Sequence, residues 1–247
     1  KHFGHNLIFV DVDDNLQFSI EDYRKQRQLR CERYADGGIT PVVMPVLYGG
    51  VSNIAGFDYF FDSSKYGEII VVDSAHCATP TIKSNFLFFS FHPYKPICTS
   101  DGGMISTNNL EASDYFRSYR NFGRQHRGKT YDISQSGFKF YMNNLNATIG
   151  LTQLKRYKEN LEIRKRNYDI LLNYFGGCLM HHDEKSSFYF ATTLTIDAND
   201  VILNKELTRM YPMLHKTSYF NNGQVLPNLE LVHSSILNLP LHTEFKL

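Results

Sequence analysis

Ser90-Phe-His-Pro-Tyr-Lys-Pro-Ile-Cys-Thr-Ser-Asp-Gly-Gly103 is a turn-rich stretch between two apolar runs, Phe86 to Phe91 and Met104 to Thr107. The pattern predicts a strand, a turn and a second strand, with Lys95 held in the turn. A lysine at the end of a buried strand is poorly solvated, so its charged form is disfavoured and its amine becomes a nucleophile toward carbonyl compounds. A lysine in a turn is nevertheless more often a solvated surface residue, so the surrounding sequence has to decide between these interpretations.

A second run, Glu68-Ile-Ile-Val-Val-Asp73, ends in a carboxylate and is followed by Ser-Ala-His76. An aspartate at the carboxyl end of a buried strand lies where open α/β sheets bind their ligands. Pyridoxal phosphate (PLP) requires a lysine for a Schiff base, a carboxylate beside its pyridine nitrogen and donors for its phosphate. Asp73, His76, Ser90 and Lys95 together supply such a set and therefore indicate a PLP site.

The chain resembles the DegT/StrS-type sugar aminotransferases, which are PLP enzymes of the aspartate aminotransferase fold. Asp73-Ser-Ala-His76 matches the family's Asp-Ala-Ala-(Gln or His), and Ser90 to Gly103 matches its Ser-Phe-His-x-x-Lys followed by an acidic residue and two glycines. The segment Gly137 to Leu154 is similar to the opening of the family's interdomain helix. Tyr211-Pro-Met-Leu-His215 and Leu239-Pro-Leu-His242 also match, so the similarity covers essentially the whole chain.

The resemblance implies an α/β PLP-transferase fold, with a mostly parallel central sheet flanked by helices and a small C-terminal α+β domain. We expect residues 1–143 to form the large PLP-binding domain, incomplete at its N-terminus. Residues 144–175 are expected to form a long connecting helix, ended by Gly176-Gly177, and residues 176–247 the small domain. Apolar residues spaced for one face of that helix are Leu145, Ile149, Leu154, Leu161, Tyr168 and Leu172.

Local patterns predict the remaining elements. The predictions are strands over Leu7 to Val12, Thr40 to Leu47 and Ser187 to Ile196, helices over Ser19 to Arg30, Asn53 to Tyr66, Leu110 to Arg120 and Asp197 to Met210, and a long loop over Asn121 to Ser136. The basic residues of the first helix favour a solvated helix face over a nucleic-acid patch. These are Arg24, Lys25, Arg27 and Arg30.

The resemblance also implies roles for the four candidate PLP residues. Lys95 would bind the cofactor and move a proton between it and the substrate carbon. Asp73 would keep the pyridine nitrogen protonated, His76 would lie near the phenolic oxygen, and Ser90 would bind the phosphate. The alternatives are a helix N-cap for Asp73, a satisfied core histidine for His76 and a plain turn serine for Ser90.

The resemblance implies further binding residues, two of which depart from the family pattern. Lys139 and Tyr141 stand where the family commonly has Asn and Arg, in a segment that reaches into the neighbouring subunit's site, so a homodimer with a shared site is implied. Lys139 could still contact the phosphate as a point charge, whereas Tyr141 cannot supply an arginine's charge to an anionic substrate. His215 resembles a substrate-pocket histidine of the family, with a surface loop histidine as the alternative. Independently of the resemblance, His92 lies two residues after Ser90, points with Ser90 if strand alternation continues, and is a candidate substrate contact.

The function implied is PLP-dependent transfer of an amino group, with glutamate as donor, to a keto group on a nucleotide-linked deoxysugar, for amino-sugar biosynthesis. Lys95 argues against the branch of the family that has histidine there and acts as sugar dehydratases. The alternative is a homologue or fragment that keeps the fold but not the cofactor. It is motivated by the family's Gly-Thr turn and stacking aromatic, which find no match, and by a shortened spacing between Asp73 and Ser90. We expect truncation or omitted residues rather than a complete natural enzyme.

Composition fits this interpretation and disfavours other classes. The chain has 247 residues, is 42% hydrophobic and carries a net charge of +1, so nothing favours nucleic acid or a membrane as a partner. No apolar run approaches the roughly 20 residues that span a bilayer, and no signal peptide is visible, so we expect a cytoplasmic protein. The cysteines are scattered, which disfavours zinc and indicates reduced thiols. They are Cys31, Cys77, Cys98 and Cys178.

Overall fold

The computed structural model of the chain describes residues 4–31, 40–63, 67–127, 130–194, 211–242 and 244. Its centre is a four-stranded sheet in the order β1-β2-β3-β4. The strands are β1 (Val42–Val43), β2 (Ile69–Asp73), β3 (Phe86–Ser90) and β4 (Gly103–Ser106). The first two strand pairs are parallel and the last is antiparallel, so the predicted α/β sheet is mostly parallel.

Five α-helices accompany the strands in the described part of the chain. They are α1 (Ile20–Cys31), α2 (Phe57–Ser63), α3 (Leu110–Tyr119), α4 (Asn144–Phe175) and α5 (Pro227–Val232). The predictions for α1, α3 and α4 are confirmed. Helix α2 begins at Phe57 rather than at Asn53, and residues 64–66 of the prediction lie outside the described residues. The predicted helix from Asp197 to Met210 lies outside the described residues. None of the helices in the described ranges is both long and apolar enough to cross a membrane.

The long helix α4 begins and ends at recognisable caps. The side chain of Asn143 accepts a hydrogen bond from the backbone N–H of Asn146 at the N-terminus. Gly176, with a φ of 58°, ends the helix and donates its N–H to the carbonyl of Leu172. This left-handed conformation suits glycine, which lacks the Cβ that would clash there.

The predicted strand from Leu7 to Val12 is wrong. This segment is extended, but its one β-type contact is an isolated bridge between Val12 and Phe18. The amide of Gln224 takes the place of a strand partner, because it accepts the N–H of Phe9 at 2.9 Å and donates to its carbonyl at 3.0 Å. Asp11 accepts the backbone N–H groups of Asn228 and Leu229, which open α5.

The predicted long loop from Asn121 to Ser136 contains a hairpin instead. Strands β5 (Arg124–Arg127) and β6 (Thr130–Ile133) pair antiparallel. The guanidinium of Arg124 lies 4.9 Å from the ring centre of Phe122 and 4.6 Å from that of Tyr131. These cation–π contacts stabilise a hairpin in a polar segment that lacks a clear alternation of apolar and polar residues.

A second small sheet follows α4. It pairs β7 (Phe190–Thr192) with β8 (Asn238–Pro240) antiparallel, so the predicted strand from Ser187 to Ile196 is confirmed in its centre. Leu237, Leu239 and Leu241 from the second strand and its flanks pack with Tyr168, Leu171 and Phe188 in one hydrophobic cluster. The other cluster lies under the main sheet, around residues such as Leu47, Phe57, Ile70 and Val72. The predicted division into two domains stays a prediction.

The apolar positions predicted on α4 lie in two environments. Tyr168, near the C-terminal end, is 3% exposed, whereas Leu145 is 78% and Leu154 is 56% exposed. The apolar positions of α4 therefore pack in the core near its C-terminal end, whereas near its N-terminal end they are exposed in the described chain.

The basic residues of α1 are less uniformly solvated than predicted. Lys25 pairs with Glu21 at the surface, but Arg27 pairs at 2.9 Å with Glu68, whose side chain is buried. The side chain of Arg30 lies outside the described residues.

Candidate active site

Asp73 and Ser90 close two neighbouring parallel strands. Asp73 ends β2 and lies opposite Phe88 of β3, which ends at Ser90. The backbone N–H of Ser74 continues the ladder to the carbonyl of Phe88 at 2.8 Å. Because the two strands are parallel, both side chains reach the same carboxyl edge of the sheet, which is the ligand-binding edge of open α/β sheets.

The backbone of Asp73 is fixed by the segment that follows β1. Its N–H donates to the carbonyl of Pro45 at 2.9 Å, and its carbonyl accepts the N–H of Leu47 at 3.0 Å. Carboxylate oxygen Oδ1 accepts the N–H of Ala75 at 2.9 Å, which shapes the turn after the strand. No helix begins at this point of the described chain, so the N-cap alternative for Asp73 is not supported.

The turn that carries Lys95 is held closed by backbone hydrogen bonds. The N–H of Phe91 donates to the carbonyl of Gly102, and the carbonyl of Phe91 accepts the N–H of Thr99, both at 2.9 Å. The N–H of Lys95 donates to the carbonyl of His92 at 2.9 Å. The double glycine is a steric requirement, since a Cβ on Gly103 would lie 2.6 Å from the carbonyl oxygen of Phe89.

The same turn is anchored on the start of α4. The side-chain amide of Asn146 donates to the carbonyl of Asp101 at 3.2 Å. Gly150, one turn further along, packs so closely that an added Cβ would lie 2.9 Å from the methyl group of Thr99. The two longest motifs of the sequence therefore meet, with the lysine turn between the sheet and the helix.

Lys95 lies over an aromatic ring. Its Nζ is 5.0 Å from the ring centre of Tyr189, just before β7. The side chain of Lys95 is only partly buried, so it is more accessible to solvent than the sequence predicted. Tyr189 itself is 7% exposed.

His76 is surrounded by four aromatic residues, which we call the aromatic cluster. The ring-centre distances from His76 are 4.5 Å to Tyr189, 5.3 Å to Phe190, and 6.0 Å to both Tyr48 and Tyr211. His76 is 9% exposed. The structure thus places it as a buried histidine, in contact with the ring over which Lys95 lies.

Tyr48 is a neutral member of this cluster. Burial raises the pKa of its phenol to about 12, although the hydrogen bond with Asn238 opposes that shift. The hydroxyl donates to the side-chain oxygen of Asn238 at 2.9 Å. Tyr48 therefore links the turn after β1 to β8 and does not titrate near neutral pH.

Ser90 and His92 lie in different environments. The backbone N–H of His92 donates to the hydroxyl of Ser90 at 3.4 Å, so this hydroxyl faces the turn. Because β3 ends at Ser90, the strand alternation that would place His92 with Ser90 does not extend to His92. Substrate contact by His92 stays a prediction. The ring of His92 is exposed and lies 5.4 Å from that of Tyr94.

Lys139 and Tyr141 lie at the surface, next to each other. The Nζ of Lys139 is 5.8 Å from the ring centre of Tyr141, and both side chains are exposed. The backbone of Lys139 forms an isolated β-bridge with Asn121. Further along the segment, Met142 packs against Gly102, where a Cβ added to the glycine would lie 3.0 Å from the methionine methyl group. The segment therefore borders the lysine turn, and its role toward a partner subunit stays a prediction.

His215 is buried and contacts the partly exposed carboxylate of Glu230. Its Nε2 is 2.9 Å from a carboxylate oxygen of Glu230, its ring is 6.1 Å from that of Phe9, and it is 1% exposed. Lys216 and then His215 lower the pKa of Glu230 to about 2. Within its motif it is Tyr211, rather than His215, that borders the aromatic cluster, so substrate contact by His215 stays an untested prediction.

Sequence reasoning missed the role of Tyr189, although a signal was present. The turn Tyr48-Gly49-Gly50 has φ values of 72° and 93° at its glycines. The N–H of Tyr189 donates to the carbonyl of Gly49 at 3.0 Å, and a Cβ on Gly50 would lie 2.7 Å from the carbonyl oxygen of His76. A double glycine marks a close backbone approach, but a single sequence does not reveal which segment approaches.

A family model matches the chain over residues 1–247, that of the DegT/DnrJ/EryC1/StrS aminotransferase family. The chain belongs to this family. The resemblance proposed from the sequence motifs is therefore confirmed. Aminotransferases of the family depend on PLP, which agrees with the donor set at the sheet edge.

Two curated members of the family are similar over most of this chain. The spore coat polysaccharide biosynthesis protein SpsC of Bacillus subtilis is 26% identical over 190 residues, which are 70% of this chain and 46% of SpsC. The UDP-4-amino-4-deoxy-L-arabinose–oxoglutarate aminotransferase of Shewanella sediminis is 28% identical over 194 residues, 70% of this chain and 47% of that protein. The chain thus spans about half the length of the curated relatives it matches.

Solved structures of the family confirm the fold. Helicobacter pylori PseC, an aminotransferase involved in the biosynthesis of pseudoaminic acid, superposes with a TM-score of 0.84 at 20% identity over 100% of this chain and 71% of PseC. The PLP form of Spr1654 from Streptococcus pneumoniae superposes with a TM-score of 0.78 at 25% identity, over 99% of this chain and 72% of Spr1654. The predicted PLP-transferase fold is therefore the fold of this family member.

The residues of this family member fit PLP chemically. The described chain offers an amine on Lys95, a carboxylate on Asp73 and a hydroxyl on Ser90, all from strand ends or the turn that follows them. Gly103 pairs with Ser90 across the β3–β4 ladder and packs tightly, so only backbone atoms lie opposite Ser90 at this strand end. These groups match the Schiff base, the pyridine nitrogen and the phosphate that a PLP site must satisfy.

Proposed function

We propose that this chain acts in PLP-dependent transamination, with glutamate as amino donor and a keto-deoxysugar linked to a nucleotide as acceptor, for amino-sugar biosynthesis. The observation that carries the proposal is the arrangement of Asp73 and Lys95 after neighbouring parallel strands, in a member of an aminotransferase family.

Each residue has a stated task. Bound PLP supplies an electron sink for the transfer of the amino group. Lys95 would hold the cofactor through its amine and would move a proton to and from the reacting carbon of the substrate. The negative charge of Asp73 would keep a proton on the ring nitrogen, and the hydroxyl of Ser90 would donate to the phosphate.

The names of the relatives support the substrates. The Shewanella enzyme pairs a UDP-linked amino sugar with oxoglutarate, the keto acid that corresponds to glutamate. SpsC is named for polysaccharide biosynthesis and PseC for the biosynthesis of pseudoaminic acid. A nucleotide-linked sugar and a glutamate donor are therefore the substrates we propose for this chain, and a cytoplasmic location stays a prediction.

Exposed apolar side chains support a homodimer. On the first half of α4, Leu145 is 78% and Leu151 63% exposed, and in the preceding segment Phe140 is 66% exposed. Several large apolar side chains exposed within one short stretch of chain favour a protein interface there. We propose a second copy of the chain as its occupant, which would bring Lys139 and Tyr141 to the partner's site.

The dimer is tested by analytical ultracentrifugation at several concentrations. We expect a dimer that the double substitution Leu145→Asp and Leu151→Asp converts to a monomer, because two charges would be buried in the interface. Leu231→Asp is the control, since Leu231 is also exposed, at 79%, but lies on α5. A wild-type chain that stays monomeric at all concentrations would rule out this part of the proposal.

The cofactor is tested by the absorbance spectrum of the purified chain with PLP and then with glutamate. We expect a visible band that glutamate bleaches, formation of 2-oxoglutarate, and, after borohydride reduction, a pyridoxyl adduct on the peptide that contains Lys95. Lys95→Arg should abolish the band and the adduct because a guanidinium does not condense with the aldehyde. Lys158→Arg, at an exposed lysine of α4, is the control. If the wild-type chain gives neither band nor adduct, it is instead a homologue or fragment that keeps the fold without the cofactor.

A further inference from the structure

We infer that Arg164 is a positioning residue for Lys95 and that it acts through Tyr189; its catalytic meaning rests on the proposed function. Arg164 lies on α4 and touches neither the strand end nor the lysine turn in any described hydrogen bond. Its connection to Lys95 runs through one backbone segment and one aromatic ring.

The guanidinium of Arg164 holds the backbone of residues 188–189. Its Nη1 donates to the carbonyl of Phe188 at 3.4 Å and to that of Tyr189 at 3.3 Å. Burial lowers the pKa of Arg164, against the opposing influence of the phenols of Tyr189 and Tyr157, but an arginine stays charged in proteins. No acidic side chain among the described residues forms an ion pair with it. The hydrogen bonds of Arg164 to described residues go to these two carbonyl groups, so the guanidinium fixes the position of this backbone segment.

The backbone that Arg164 holds is strained. Phe188 has a φ of 44°, in the left-handed region that non-glycine residues rarely adopt. Two further hydrogen bonds join this segment to the double-glycine turn. The N–H of Ser187 donates to the carbonyl of Gly50 at 2.7 Å, and the N–H of Tyr189 donates to the carbonyl of Gly49 at 3.0 Å. Such a conformation persists only when its surroundings impose it, and here the double-glycine turn and Arg164 do so together.

The strained segment fixes the ring that Lys95 contacts. The Tyr189 ring lies 5.0 Å from Lys95 Nζ and 4.5 Å from the ring of His76. A cation over the face of a tyrosine ring is attracted by its negative π-surface, so the ring favours the ammonium form of Lys95 and holds its amine close to the ring. Without the two carbonyl bonds of Arg164, Phe188 can relax to a common conformation, and the Tyr189 ring leaves this position.

The test measures the amine of Lys95 directly and needs no cofactor. The chain is labelled with a trace of acetic anhydride over a range of pH, and acetylation of each lysine is quantified by mass spectrometry relative to exposed Lys158. We expect Tyr189→Leu to raise the relative reactivity of Lys95 below its titration midpoint by about two- to fivefold, the size of an exposed cation–π contact. Tyr189→Phe, which keeps the ring, should leave the reactivity close to wild type.

The decisive comparison is a double-mutant cycle. Arg164→Met should raise the reactivity of Lys95 in the wild-type background and add nothing in the Tyr189→Leu background. Arg166→Met, at an exposed arginine of the same helix, should change neither. If Arg164→Met does not fold, as judged by circular dichroism, Arg164→Lys is used; it keeps the charge but cannot span both carbonyls, and it too must raise the reactivity.

Two results would overturn the inference. One is an unchanged Lys95 in the folded Arg164 variant, and the other is an Arg164 effect of equal size with and without the Tyr189 ring. A chain that binds no PLP would contradict the proposed function alone, because the labelling experiment reads the Arg164–Tyr189–Lys95 relationship independently of the cofactor.

Discussion

The ring centres of His76 and Tyr189 lie 4.5 Å apart with an angle of 32° between the ring planes. His76 belongs to the loop after β2, and Tyr189 leads into β7, so this contact joins the main sheet to the small sheet that follows α4. Lys95 from the turn after β3 contacts the same tyrosine. The candidate site is therefore assembled from three segments that are distant in sequence, and its geometry depends on how the small sheet is held.

Asp73→Asn separates the charge of this residue from its role in the turn. The asparagine oxygen can still accept the N–H of Ala75, so we expect the fold to be retained. The neutral amide cannot hold a proton on the pyridine nitrogen, so we expect the glutamate half-reaction to slow by at least about a hundredfold, the usual effect of losing a positioned electrostatic group. Single-turnover bleaching of the cofactor band measures this rate.

Asp73→Ala is the matched variant, because it removes both the charge and the turn contact. It should lose about 1 kcal/mol or more of stability in urea unfolding, whereas Asp73→Asn should not. An Asp73→Asn chain with wild-type turnover would exclude the proposed role of the carboxylate.

Gly103→Ala should destabilise the chain at the base of the lysine turn. An added Cβ would lie 2.6 Å from the carbonyl oxygen of Phe89, so the β3–β4 pair must shift to admit it. We expect a loss of about 1–3 kcal/mol, the usual cost of overpacking. Gly177→Ala is the control, because nothing lies within 4 Å of its added Cβ, and its effect should stay within about 0.5 kcal/mol. Thermal unfolding of both variants measures the difference, and equal effects would contradict the steric argument.

The sequence predicted those parts of the molecule whose signals are local. The apolar runs before Asp73 and Ser90 form β2 and β3. The apolar spacing that ends at Gly176-Gly177 forms the helix from Asn144 to Phe175. The hairpin of β5 and β6 was missed because it depends on Arg124 between two aromatic rings, and the strand expected at Leu7 to Val12 failed because Gln224, distant in sequence, satisfies its backbone.

The residues of the candidate site also divide into those with a local sequence signal and those without one. Asp73, Ser90 and Lys95 follow strand ends, so their common location can be inferred from the sequence alone. Tyr189 and Arg164 could not be inferred, because their effect on Lys95 depends on a strained backbone at Phe188 and on contacts across the fold. Such contacts leave no periodic pattern in one sequence.

His182 should make stability fall in mildly acidic solution. Its ring is 5% exposed and lies 5.1 Å from the ring of Phe188 and 4.8 Å from that of Tyr168. Burial lowers its pKa to about 4, below the ordinary value of 6.5. The unfolded chain therefore binds this proton first as the pH falls. The contribution is fully present above pH 6.5, is lost progressively as the pH drops toward 4, and amounts to at most about 3 kcal/mol.

The matched variant is His182→Phe, which keeps an aromatic ring and removes the titration. The free energy of unfolding, measured in urea between pH 7 and pH 4, should fall less steeply for His182→Phe than for the wild-type chain. Parallel pH profiles for the two proteins would show that His182 is not the group responsible.

Asp183 connects the segment before β7 to the turn after β1, and its removal should loosen that connection. Its carboxylate accepts the N–H and the hydroxyl of Ser52 at 2.9 and 2.7 Å, the hydroxyl of Ser186 at 2.9 Å and the N–H of Lys185 at 2.8 Å. Burial raises the pKa of Asp183, but these hydrogen bonds outweigh it and leave the pKa below its ordinary value.

Asp183→Asn should therefore cost about 2 kcal/mol at neutral pH, because a neutral amide cannot accept four hydrogen bonds and places N–H groups against donors. The wild-type contribution is present above the ordinary carboxyl pKa and disappears as the pH falls through the lower folded value, so the two proteins should converge in strong acid. Glu184→Gln, at the exposed neighbouring carboxylate, is the control and should change stability by less than about 0.5 kcal/mol. Urea unfolding at pH 7 and pH 3 measures both differences. Because Ser52 follows the double-glycine turn that bonds Tyr189, a variant that loses stability should also show altered acetylation of Lys95, and unchanged labelling would show that this anchor does not reach the site.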